Sequence, residues 1–178
     1  MQKSLLNKSK NLPYHVTGRT FNRECFSLPL KNMWELSQES LVESCSHYQV
    51  RIVSFVLMSN HYHLLLYTPN GDLESFIDDF NLRLEQKTQK IISKWFLIMS
   101  FSYFKNCYRY VYQNPVRSGV VNKSEDYNHS TLKNLVEINS FGVPLFDKFG
   151  FKDKATLLWI NGVLDEGEIN RMRGDLCF

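Results

Sequence analysis

The segment from Val50 to Thr68, VRIVSFVLMSNHYHLLLYT, constrains the fold more than any other part of the chain. It holds two dense runs of β-branched, aromatic and aliphatic residues separated by Ser59 and Asn60, the pattern of a β-hairpin with a tight turn. A hairpin this apolar is not stable alone, so the remaining chain must supply further strands or helices to cover it.

The flanking segments provide them. Tyr14 to Thr20, YHVTGRT, alternates loosely and is rich in β-formers, which predicts a first strand. Leu30 to His47 follows Pro29 and carries Met33, Trp34, Leu36, Leu41 and Val42 among polar residues, an amphipathic helix. After the turn residues Pro69, Asn70 and Gly71, the positions Leu73, Phe76, Ile77, Phe80 and Leu84 keep helical spacing and predict a helix to about Gln89. Ile91 to Met99 reads as a buried strand. Ser102 to Asn114 reads as a helix with Phe104, Tyr108 and Val111 on its apolar side, ended or sharply redirected by Pro115. Beyond it the sequence suggests a turn from Gly142 to Pro144 and a helix around Leu157 to Val163.

The order strand, helix, strand, strand, helix, strand is that of a split βαβ unit. The expected fold class is therefore α+β: a ferredoxin-like antiparallel sheet with helices on one face and a helical C-terminal extension. With 178 residues, 43% of them hydrophobic, the chain suits one domain with a tail. The domain is expected over residues 1–130, and residues 131–178 as an extension packed on it.

Composition excludes several classes. Cys25, Cys45, Cys107 and Cys177 are scattered, which argues against a zinc ribbon or a disulfide framework and suits a cytoplasmic protein. No stretch approaches the roughly 18 uninterrupted apolar residues of a membrane span, so no membrane partner is expected. The net charge of +3 is mild but uneven. Five Lys or Arg precede Glu24 with no acid among them, and four more lie between Tyr103 and Lys123, again without an acid. Such stretches hint at phosphate binding, although solvated surface also explains short charge runs.

Two groups of residues could carry chemistry. On a strand, His61 and His63 project to the same face and Tyr62 to the other, so the two imidazoles could chelate one metal ion; aromatic packing is the bland alternative. On the later helix, Asn106, Tyr110 and Asn114 recur every four residues with Arg109, Gln113 and Arg117 nearby, which makes a polar stripe. A phenol is a poor nucleophile at neutral pH, and a tyrosine that attacks phosphate needs a cation at the target and a basic surround.

These residues carry a resemblance. FVLMSNHYHLLL is similar to the histidine-hydrophobe-histidine strand of single-strand transposases, and RYVYQNPVRSGVV resembles the tyrosine helix of the REP-associated tyrosine transposases and their IS200-like relatives. Both motifs stand in that family's order, and the likeness covers Tyr14 to about Tyr127. The resemblance implies a transposase that cuts and rejoins single-stranded or hairpin DNA, with Tyr110 as nucleophile and a 5′-phosphotyrosine intermediate. It implies Mg²⁺ or Mn²⁺ held by His61, His63 and Asn114, phosphate contacts from Arg19, Arg109 and Arg117, and action as a monomer or homodimer. Asn60 is expected to shape the turn that presents His61. One segment departs from the family: IISKWFLIMS, around Trp95, is apolar where relatives are polar and basic. Two rivals follow from the same residues, a non-catalytic nucleic-acid-binding protein and a metal-dependent hydrolase with no covalent step.

Overall fold

The computed structural model describes residues 9–137, 139–146 and 154–175. The basic start before Ser9 and Cys177 lie outside the described residues.

Four strands form one antiparallel sheet. They are β1 (Tyr14–Thr20), β2 (Arg51–Leu57), β3 (His61–Tyr67) and β4 (Ile91–Leu97), arranged in the order β2-β3-β1-β4. The helix α1 (Leu30–His47) connects β1 to β2, and α2 (Leu73–Glu85) connects β3 to β4. This is the ferredoxin-like α+β arrangement expected from the sequence. The hairpin closes as the sequence indicates, with the Met58 amide donating to the His61 carbonyl at 2.8 Å. In α2 the helix stops four residues before Gln89. The Thr88 hydroxyl takes the Leu84 carbonyl at 2.8 Å, and the Glu85 carboxylate accepts from the Ile91 amide at 2.6 Å, which turns the chain into β4.

Pleating divides the core in two. Tyr14, Val16, Phe55, Tyr62, Leu64 and Leu66 face α1 and α2 and pack against Met33, Leu41, Phe76 and Phe80. The opposite face carries Val53, Val56, Leu65 and Tyr67, and a second layer of helices lies over it. The expectation of helices on one face holds for α1 and α2 and needs extension, because a hairpin apolar on both sides cannot leave either to water. The cover is α3 (Phe101–Arg117), joined by α4 (Thr131–Glu137), α5 (Lys154–Asn161) and α6 (Glu166–Asp175), which contribute Leu132, Ile160, Ile169 and Met172. The sequence reading did not include α6.

The Trp95 segment owes its apolar character to this arrangement. It is β4, whose Trp95 and Leu97 pack toward the α1–α2 side while Phe96 packs against His15 on the other. The free edge of β2 is covered by later chain. Leu57 donates to the His129 carbonyl at 3.0 Å, the Phe55 amide donates to the Thr131 hydroxyl at 2.9 Å, and Phe146 donates to the Ile52 carbonyl at 2.7 Å.

Pro115 neither ends nor redirects α3, contrary to expectation, since the helix runs on to Arg117. Proline leaves the Val111 carbonyl without its usual amide donor, and the Asn114 side-chain amide stands 3.5 Å from that oxygen. The helix ends instead at Gly119, whose φ of 69° is left-handed. Gly119 donates to the Val116 carbonyl and Val120 to the Pro115 carbonyl, both at 2.9 Å, which together make a Schellman motif.

The residue between the two strand histidines is anchored on the far side of the sheet. The buried Tyr62 hydroxyl donates to the Asn81 side-chain oxygen at 2.8 Å and lies 3.1 Å from the Ser93 hydroxyl, joining β3 to α2 and β4. Gly18, paired with Tyr62 across the sheet, makes room for the ring, because a methyl group there would overlap it. Replacing Gly18 with Ala is expected to destabilise the fold by about 1–3 kcal/mol through overpacking. Urea unfolding monitored by tryptophan fluorescence measures this, and an unchanged midpoint would show that the ring has room to move.

Candidate functional site

Antiparallel register brings the polar residues of β1 and β3 together. Thr17 pairs with His63 and Arg19 with His61, so His15, Thr17, Arg19, His61 and His63 all project toward α3. The two strand histidines lie with ring centroids 5.1 Å apart. Asn60, the residue before His61, makes two side-chain contacts. Its side-chain nitrogen donates to the Arg23 carbonyl at 2.6 Å, and its side-chain oxygen lies 2.7 Å from Nδ1 of His61. That oxygen can only accept, so Nδ1 of His61 carries the proton and the other ring nitrogen keeps its lone pair.

Above these rings, α3 contributes Tyr110 and Asn114. The Tyr110 ring centroid lies 5.7 Å from that of His63, and the Asn114 side chain is near enough to His63 to act on its charge. The Asn114 side-chain nitrogen donates to the Tyr110 carbonyl at 2.8 Å, which leaves its oxygen as the polar atom able to face the histidines. A cavity of about 330 Å³ opens over this group. Arg19, Arg23, Arg117 and Arg173 line it, and among the described residues no acid does.

Burial sets the charge of the imidazoles. It pushes His61 down to about 4, with Arg19 adding to the effect, and lowers His63 well below the usual histidine value, with His61, His15 and Arg19 contributing in that order. His15, fully buried, falls to about 3. All three rings are therefore neutral near pH 7, the state in which imidazole binds a metal. Burial raises the Tyr110 hydroxyl, and Arg173 and then Arg117 act against that rise.

Of the residues singled out in the sequence, His61, His63, Tyr110, Asn114, Arg19 and Arg117 line one cavity. Arg109 is not among them. Its guanidinium lies 5.7 Å from the Trp159 ring centre and donates to the Val163 carbonyl at 3.1 Å, because its helical phase turns it toward the C-terminal helices. Gln113 likewise donates to the Ile160 and Gly162 carbonyls, at 2.5 and 2.6 Å. Sequence reasoning missed His15, Thr17, Arg23 and Arg173. The first two were accessible, since alternation in YHVTGRT places them on the same side as Arg19. Arg173 sits on α6, where no motif marked it.

Two imidazoles and an amide oxygen are a chemically sound donor set for a divalent ion, and three protein donors leave positions open for ligand oxygens. Among the described residues no group of three or more His, Cys, Asp or Glu could hold a metal, and the amide that stands beside the two strand histidines is that of Asn114. The sequence matches the family described as "Transposase IS200 like" over residues 8–113, and the chain belongs to that family. The matched span includes His61, His63 and Tyr110 and stops one residue before Asn114. Among solved structures the fold is similar to that of a REP-associated tyrosine transposase bound to a REP hairpin. The TM-score is 0.67 and the identity 16%, with 86% of this chain and 98% of the other covered. No curated protein matches the sequence. No helix of the described residues is long and apolar enough to cross a membrane.

The depressed histidines make stability depend on pH. The unfolded chain binds protons at these rings near pH 6.5, while folded His61 does so only near 4. Their contribution is thus complete above about pH 6.5 and is lost as pH falls toward 4. The thermal midpoint is expected to decline across that window, and His61→Gln to make the decline shallower. Scanning calorimetry from pH 4 to pH 8 checks both, and an identical slope in the variant would contradict the assignment.

Proposed function

We propose that the chain is a metal-dependent single-strand DNA transposase in which Tyr110 is the nucleophile. The observation that carries the reading is the approach of the Tyr110 ring to His63, with Asn114 one helical turn further along, inside a cavity lined by four arginines and, among the described residues, no acid. The REP hairpin bound to the structurally similar transposase supports a folded single-stranded DNA end as the substrate here.

His61, His63 and Asn114 would hold Mg²⁺ or Mn²⁺. Bound there, the ion would polarise a non-bridging oxygen of a phosphodiester. Arg19 and Arg117, with Arg23 and Arg173, supply further positive charge for the backbone on either side of the scissile phosphate. The Tyr110 oxygen attacks phosphorus, an O–P bond forms, and the bond from phosphorus to the 3′ oxygen breaks. The phenol gives up its proton to solvent and the departing 3′ oxygen gains one, so the products are a 5′-phosphotyrosine and a free 3′-hydroxyl. Attack by another 3′-hydroxyl reverses the step and rejoins the strand. Arg173 and Arg117 favour the phenolate that burial opposes, which makes them the side chains that ready Tyr110 for attack. Every group invoked comes from one chain, so this cut does not require the homodimer that the family resemblance allows.

Incubation with end-labelled single-stranded hairpin DNA and Mn²⁺, followed by denaturing electrophoresis, is expected to give a protein–DNA adduct. Tyr110→Phe should remove the adduct, and joint replacement of His61 and His63 by Ala should abolish cleavage without unfolding the protein. Cleavage that persists in Tyr110→Phe would favour a hydrolase. Binding without any adduct across varied hairpins would favour a non-catalytic protein.

Affinity for single-stranded DNA is expected to fall with salt, with a log–log slope of about −0.7 per phosphate neutralised. Arg117→Ala should make the slope shallower, whereas Arg109→Ala should leave it unchanged, because Arg109 is turned to Trp159 and Val163. Fluorescence anisotropy over a salt series separates the two.

A further inference from the structure

The site contains a third histidine with no role in the chemistry described. His15 lies on β1, is 0% exposed, and places its Nε2 3.0 Å from Nδ1 of His63. Its own Nδ1 has no hydrogen-bond partner among the described residues. An imidazole buried beside Phe96 with half its polarity unpartnered costs stability that a phenylalanine in the same space would not. Packing therefore does not explain a histidine at this position.

The contrast between the two strand histidines does. The proton of His61 is fixed on Nδ1 by the Asn60 side-chain oxygen, which only accepts. His63 has no such oxygen, and two groups reach its Nδ1: Nε2 of His15 at 3.0 Å and the Thr17 hydroxyl at 3.2 Å. With Nδ1 so engaged, the nitrogen that faces Asn114 and the cavity is Nε2. That nitrogen can ligate only if the ring proton sits on Nδ1, where Nε2 of His15 is the nearest acceptor.

We propose that His15 is a positioning residue that accepts the Nδ1 proton of His63, orienting its ring and keeping its other nitrogen free as a donor toward the cavity. This rests on the reading of His61, His63 and Asn114 as metal donors. His15 does not touch the ion or the DNA; it acts through His63. Thr17, slightly further away, steadies the same proton from the side.

Two measurements test this. In ¹⁵N-labelled wild-type protein saturated with Mg²⁺, the bond predicts a scalar coupling between Nδ1 of His63 and Nε2 of His15. Its absence from well-resolved imidazole spectra would overturn the proposal. The second is Mn²⁺ affinity, read from the electron paramagnetic resonance signal of the free ion and compared with the protein in which His61 and His63 are both Ala. His15→Phe keeps the ring volume and the contact with Phe96 but removes the acceptor. It should retain or raise the thermal midpoint while weakening Mn²⁺ binding about 10-fold or more, the usual effect of losing an outer-shell partner. His15→Gln, whose amide oxygen can accept, should recover part of that loss. If wild type binds Mn²⁺ no better than the double Ala protein, the donor assignment itself fails. If wild type binds and folded His15→Phe binds equally well, the donors stand and the role of His15 is wrong.

Discussion

The antiparallel pairing of β1 with β3 is the constraint on which the site depends. It sets Thr17 opposite His63 and Arg19 opposite His61, so the side chains that steady and polarise the histidines come from a neighbouring strand at fixed spacing. A slip of one residue would send Tyr62 into the polar cavity and both histidines into the apolar layer under α1 and α2. Such a slip is blocked from the other side of the sheet, because Tyr14, Val16, Leu64 and Leu66 are buried there and would have to face the cavity instead. The hydrophobic core thus specifies the register, and the register specifies the site.

The same sheet must reconcile two demands. Its α3 face is as well covered as its other face, yet it encloses three imidazoles, a phenol and an arginine. The protein meets the cost of that polar burial by keeping the imidazoles neutral and by giving His61 and His63 partners from short range: Asn60 for one, His15 and Thr17 for the other. Positive charge is held at the rim of the cavity. Arg117 pairs only loosely with exposed Glu166, at 4.0 Å, so its charge remains largely available to an anion.

The parts of this arrangement governed by local periodicity were legible in the sequence. β1, the β2–β3 hairpin and α1 carry strong period-two or helical signals; strand alternation puts His61 and His63 on one face and helical spacing puts Tyr110 and Asn114 on another, while singling them out from packing residues took the family resemblance. Arg109 was misplaced for a physical reason: a residue adjacent to Tyr110 points about 100° away around the helix, which here is toward Trp159. Pro115 was read as a helix stop, but the stop lies at Gly119, where the left-handed residue and its two hydrogen bonds are. Arg173 could not be found by such reasoning. Its place beside Tyr110 depends on Ile169 and Met172 docking α6 into a core shared with α3, a long-range contact that the ten residues of α6 do not announce.

The anchoring of Tyr62 has a consequence for how the site responds to a ligand. Tyr62 is the residue between the two histidines, and its hydroxyl is tied through Asn81 and Ser93 to elements beyond the sheet. The backbone that spaces the imidazoles is therefore held from its far side by α2 and β4. A ligand that bridged the two rings would meet donors already spaced, so the conformational entropy of bringing them together would be lost at folding and not at binding. The opposite side of the cavity is built differently, with Arg173 exposed on the short helix α6, which also carries the exposed Glu166.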